Sequence, residues 1–176
     1  GKFGDFYLRD EIFDLLEAAF GYWHDSLHIL LLSDLKQDEL NEYCNRHRLD
    51  ANRFTLVSAP HHLMPSYLSV ADFAISPYKP APSKKFCTPI KDGEYWAIGL
   101  PVIITKDISV DSDIIEQNNI GYVLKDLSKS EYQNAVRKID ELINSDRTKL
   151  REKIREIAVS NRSFSIAENI YEKIYG

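Results

Sequence analysis

Short apolar runs alternate with longer segments of helical period along these 176 residues, and this alternation constrains the fold more than any other feature. Leu27–Leu32 is a short run dominated by leucine and isoleucine. A continuous run, unlike an alternating one, suits a strand covered on both faces, as in a parallel sheet. Arg53–Ser58, Asp72–Ser76, Pro101–Thr105 and Gly121–Leu124 read as further strands. Ile12, Leu15, Leu16, Ala19, Phe20 and Trp23 follow the helical period, with Asp10 or Asp5 available as a cap. Ser33–His47, His62–Val70, Asp92–Ile98 and Asp111–Asn118 also read as helices, and Ser128–Asn144, Arg147–Val159 and Ile166–Tyr175 complete the chain. The pattern predicts an α/β fold: a Rossmann-like, doubly wound parallel sheet. Periodicity alone does not separate this from a flavodoxin-like strand order.

Composition excludes some functions. Hydrophobic residues make up 44% and charged residues 28%, the balance of a soluble globular domain. The net charge of -5 opposes nucleic-acid binding, which needs a basic surface. Cys44 and Cys87 form neither a metal-ligand pair nor a disulfide framework, so no metal is expected. No signal-peptide pattern opens the sequence, and a cytoplasmic location is expected. One loop runs against the acidic trend: between Pro77 and Asp92 stand Lys79, Lys84, Lys85 and Lys91, with Asp92 the one acidic residue. A basic loop in an acidic protein suits an anionic small molecule, although lysines also serve solubility.

The segment Pro89–Ile103 carries the most chemistry. It reads as a loop, a short helix stopped by Gly99, and a buried strand. The first turn of a helix presents unbonded backbone N–H groups and a partial positive charge, which suit phosphate oxygens. Lys91 adds a full charge there, and Glu94 lies one turn on. A carboxylate can accept hydrogen bonds from two neighbouring hydroxyls, as on a ribose. The same spacing also makes an ordinary surface ion pair, and spacing alone leaves both readings open.

Lys91, Glu94, Tyr95, Ala97, Gly99, Pro101, Val102 and Ile103 together resemble the K-x-x-E-Y-x-A-x-G-x-P-V-I signature of glycosyltransferase family 4 and its relatives, which have the GT-B fold. Met64–Pro77 is similar to that family's helix, "A-D" and strand, and Lys2–Tyr7 to the glycine-containing turn opening its C-terminal domain. The resemblance implies that residues 1–176 form the donor-binding, C-terminal half of a GT-B enzyme. An acceptor domain and a first central strand would lie outside these residues, which would be inactive alone. It implies a ribose clamp at Glu94 and a diphosphate site at the helix start, where Ile90 and Lys91 lie. Lys84, Lys85 and Arg9 are further candidates for the diphosphate. No cofactor is implied; the donor substrate would be a nucleotide-diphosphate sugar. The acceptor would be a glycan or lipid-linked glycan in polysaccharide synthesis, which leaves room for peripheral association at the inner face of the membrane. No catalytic residue is named by this segment.

The pattern is departed from at Phe86, where many members of the family carry a first glutamate. That departure supports one rival reading, a non-catalytic nucleotide-sugar-binding or interaction domain; a second rival is the donor half of a GT-B sugar-nucleotide epimerase, which uses a similar donor half. His61 and His62 follow a strand at the edge where such sheets bind ligands, and are candidates for the base pocket. With a central strand missing, residues Lys2–Leu8 are expected to fill part of the gap, or the chain to associate with itself.

Overall fold

A computed structural model describes residues 6–175. Five parallel strands alternate with helices. In chain order the elements are α1 (Asp10–Trp23), β1 (Ile29–Leu32), α2 (Gln37–His47), β2 (Phe54–Val57), α3 (Met64–Leu68), β3 (Ala74–Ser76) and α4 (Ile90–Ile98). They continue through β4 (Val102–Thr105), α5 (Asp111–Asn118), β5 (Gly121–Leu124), α6 (Lys129–Ile143), α7 (Arg147–Arg162) and α8 (Phe164–Tyr175).

The strands form two parallel groups. β1 pairs with β2, Ile29 opposite Phe54, and β4 lies between β3 and β5, with Val102 opposite both Ala74 and Gly121. β4 is buried at every position, which explains its unbroken Val-Ile-Ile sequence. The residues of β1 are equally apolar but only half-buried. No strand among the described residues joins β1 to β3. Residues 6–8 instead run antiparallel to the chain leaving β3: Leu8 N–H donates to Pro77 O at 2.7 Å and Lys79 N–H to Phe6 O at 3.0 Å. The expected segment 2–8 thus contributes pairing at its last three residues; residues 1–5 lie outside the described residues.

The helices gather around the strands in two groups, α1 with α2 and α6, and α4 with α3 and α7. Phe13 of α1 is fully buried, its ring 4.6 Å from Tyr43 of α2. α7 is held to its neighbours by its basic residues. Arg151 donates to Ala71 O, Arg155 to Ile98 O at the end of α4, and Lys153 to Asn118 O at the end of α5. Each satisfies a carbonyl that has no partner inside its own segment.

Several element ends differ from the sequence expectation for local reasons. Asp10 does not cap α1: Arg9 holds the N-cap position, and the Asp10 carboxylate pairs with Arg46 of α2. α2 begins at Gln37 instead of Ser33, because the Ser33 hydroxyl accepts from Leu35 N–H in a local turn and Glu39 accepts from Lys36 N–H at 2.9 Å to open the helix. α3 is confined to five residues after a 3-10 turn at His61–Leu63. α4 starts at Ile90, two residues earlier than Asp92, with Pro89 at its N-cap. It ends as expected at Gly99, whose φ of 85° is left-handed.

Candidate functional site

Pro89 decides how α4 opens. Its side chain accepts no hydrogen bond, so the first turn of α4 has no side-chain cap. Upstream, the chain leaving β3 passes through a 3-10 turn at Pro82–Phe86. The Lys84 backbone is fixed there, its N–H donating to Ala81 O and its carbonyl accepting from Ser109 N–H. Lys84 is 8% exposed, and its Nζ lies 3.8 Å from the centroid of the Phe6 ring. Lys91, in the first turn of α4, places its Nζ 4.3 Å from the centroid of the next ring, Tyr7. Among the described residues neither ammonium forms an ion pair with a carboxylate. Burial pushes the Tyr7 phenol up, but a hydrogen bond with Tyr78 and the charges of Lys91 and Lys84 outweigh it and hold the phenol below the usual tyrosine range. Both lysines therefore act on one small region beside the start of α4.

Glu94 faces a different neighbour. Its Oε1 lies 2.7 Å from Nε2 of His61, in the 3-10 turn before α3. It also lines a groove of about 670 Å³ between α4 and α7, with Ile90, Gly93 and Ala97 on one side and Val159 and Arg162 on the other. The other candidates lie apart. Ile90 is 77% exposed and contributes its backbone to the helix start. Lys85 is exposed, as is Phe86, which stands where the family pattern has its first glutamate. Arg9 is exposed at the N-cap of α1, and its backbone N–H donates to Glu11. His62 is exposed beside His61. A second groove, about 740 Å³, lies between α1 and α6 and contains none of these residues.

Sequence reasoning missed a buried polar cluster directly beneath α4. Asp92 and Asp111 are fully buried, and Arg162 pairs with Asp111. The Arg162 guanidinium carbon lies 5.6 Å from the Trp96 ring centroid. Burial pushes the Asp92 carboxyl up to about 7, and the charge of Asp111 adds to it; neither Asp92 carboxylate oxygen has a hydrogen-bond partner among the described residues. Asp111 is also raised by burial, against the pull of Arg162. Residues 92 and 96 stand i, i+4, one helical face away from Lys91 and Glu94. That spacing was a readable signal that Asp92 points inward. Nothing local marked Asp111 or Arg162. Elsewhere, Asp14, Glu17 and His47 bring ligand-type atoms within 4.8 Å of one another. Both His47 nitrogens already face carboxylates, Asp14 and Asp10, so this group ties α1 to α2.

Residues 79–172, more than half of the chain, match the family described as glucosyltransferase 3-like, C-terminal domain. The chain belongs to this family. The matched stretch holds Lys84, Lys91, Glu94, Asp111 and Arg162. The fold of this glucosyltransferase 3-like domain is similar to the crystal structure of WaaG, a glycosyltransferase involved in lipopolysaccharide biosynthesis. The TM-score is 0.66 at 18% sequence identity, over 95% of this chain and 43% of that one. The chain thus spans less than half the length of that relative. No curated protein matches it. The family and the fold agree with the expectation of a Rossmann-like GT-B glycosyltransferase C-terminal domain. No helix among the described residues is long and apolar enough to cross a membrane.

Proposed function

We propose that this glycosyltransferase domain binds the nucleotide-diphosphate sugar donor at the opening of α4, with Lys91, Lys84 and the first-turn N–H groups on the diphosphate and Glu94 on the ribose. One observation carries the reading. Two lysines, one of them buried, sit beside an uncapped helix N-terminus with no carboxylate to neutralise either among the described residues. An ammonium is costly to bury without a counter-charge, and a diphosphate would supply one. The helix dipole acts in the same direction.

In the parent enzyme these groups stabilise charge on the leaving diphosphate as the glycosidic bond to it breaks. The acceptor, a glycan or lipid-linked glycan, is met by a part of the enzyme beyond these residues. A role in polysaccharide synthesis forms part of the proposal, and the likeness in fold to a lipopolysaccharide glycosyltransferase is compatible with it.

Calorimetric titration with UDP and GDP tests it. Charge-assisted hydrogen bonds contribute about 1.5 to 3 kcal/mol when desolvated. Glu94→Ala is therefore expected to weaken binding about ten- to a hundredfold, and Glu94→Gln less, since the amide oxygen still accepts. Lys91→Ala is expected to weaken diphosphate more than nucleoside, with an effect that shrinks in high salt. Unchanged affinity in a folded Glu94→Ala variant would remove the ribose assignment.

A further inference from the structure

Glu94 has a partner that the family signature around it does not contain. His61 lies 33 residues upstream, in the 3-10 turn that precedes α3, and its Nε2 meets Glu94 Oε1 at 2.7 Å. An ionised carboxylate only accepts hydrogen bonds, so the proton of this contact resides on Nε2. That fixes which imidazole nitrogen donates and occupies one side of one carboxylate oxygen. Oε2 and the remaining lone pair of Oε1 are left to receive other donors.

Two facts argue against a purely structural purpose. The His61 side chain is 84% exposed, so it packs against little and fills no space in the core. The Glu94 side chain is 29% exposed, at the rim of the groove between α4 and α7. An exposed pair of this kind contributes little to stability, because water competes with it and ordering both side chains costs entropy. Its effect grows when a ligand covers it, since excluding water strengthens the same hydrogen bond.

We propose that His61 is a positioning residue for the donor site: it holds the Glu94 carboxylate in the one rotamer that presents its remaining acceptors to the two vicinal hydroxyls of the ribose. This rests on the assignment of Glu94 to the ribose. A carboxylate that must meet two hydroxyls at once gains from being held before the ligand arrives, because less side-chain freedom is lost on binding. His61 touches neither the diphosphate nor the sugar in this arrangement, and its influence passes through Glu94 alone.

The experiment titrates the protein and its variants with UDP, GDP and ADP and with the matching 2′,3′-dideoxynucleoside diphosphates. His61→Ala is expected to weaken the best-bound ribonucleoside diphosphate about three- to tenfold, the size of one modest hydrogen bond. His61→Gln, whose amide N–H can occupy the place of Nε2, is expected to restore most of the loss, and His61→Asn, which reaches less far, is not. With the dideoxy ligand the His61→Ala effect is expected to vanish, because the hydroxyls that Glu94 serves are gone. Equal weakening toward both ligands would overturn the proposal, as would tighter binding by His61→Ala, which would mark the histidine as a competitor of the ribose. If Glu94→Ala weakens binding and His61→Ala does not, the positioning role fails and the ribose assignment stands. If Glu94→Ala has no effect, or no nucleoside diphosphate binds, the ribose assignment fails and takes the positioning role with it.

Discussion

Gly93 lies directly beneath the side chain of Arg162: a Cβ at position 93 would stand 3.3 Å from Arg162 Cγ. α4 is thereby locked at its opening turn by the last residue of α7. Gly93→Ala should be nearly neutral in chemical denaturation, within about 1 kcal/mol of wild type, because better helix propensity offsets the small displacement of Arg162. Gly93→Leu should expel Arg162 and leave Asp111 buried without its cation, a loss of roughly 3 to 5 kcal/mol. Equal stability of the two variants would show that Arg162 does not lock α4.

The Asp92 carboxyl, raised to about 7 chiefly by burial, makes stability depend on pH in a defined direction. The folded state holds this proton more tightly than the unfolded state does. The contribution is therefore complete below about pH 4, the unfolded value, and is lost as pH rises to about 7. Asp92→Asn cannot ionise. Its stability relative to wild type should rise across that window by up to about 1.4 kcal/mol per pH unit and level off above pH 8. Urea denaturation of both proteins from pH 4 to pH 8 measures this. A constant difference between them would show that Asp92 is ionised throughout.

Lys84 and Lys85 are neighbours with opposite surroundings. Lys84 is buried over the Phe6 ring and Lys85 is exposed. Lys84→Ala should weaken nucleoside-diphosphate binding about tenfold or more, whereas Lys85→Ala should change it less than about twofold, as expected of a solvated charge. Calorimetry in low and high salt distinguishes them, and the reverse ranking would move the diphosphate away from the α4 opening.

Gly99 ends α4 at a φ of 85°, with the Arg151 carbonyl oxygen 2.9 Å from where a Cβ would stand. Gly99→Ala should destabilise the domain by about 1 to 3 kcal/mol. The readout is thermal unfolding followed by circular dichroism, and an unchanged midpoint would contradict the close packing of α7 at this turn.

β4 was readable because burial on both faces writes itself into sequence as an apolar run, and all four of its residues fell inside the expected segment. Gly99 and Pro101 marked the end of α4 and the start of β4 for equally local reasons. The start of α2 was misplaced because Ser33 and Lys36 make local hydrogen bonds that polar composition does not reveal. At the candidate site, Lys91 and Glu94 stood out by their match to the family signature, since spacing alone also fits an ordinary surface ion pair. Lys84 could not be told from Lys85, because what separates them is the position of Phe6, far away in sequence. The cluster of Ser76, Asp92, Asp111 and Arg162 is drawn from four separate segments. No period within one segment reports a contact between residues 111 and 162.

The seat of Arg162 on Gly93 also imposes an order on biosynthesis. Gly93 emerges from the ribosome ahead of Arg162, and roughly 70 residues separate the two, a lag of several seconds at about 5 to 20 residues per second. Until Arg162 follows, Asp111 lacks this guanidinium and the turn bearing Lys91 and Glu94 lacks its packing on Gly93. The nascent chain therefore carries the whole α4 sequence well before the packing of that turn is completed by α7.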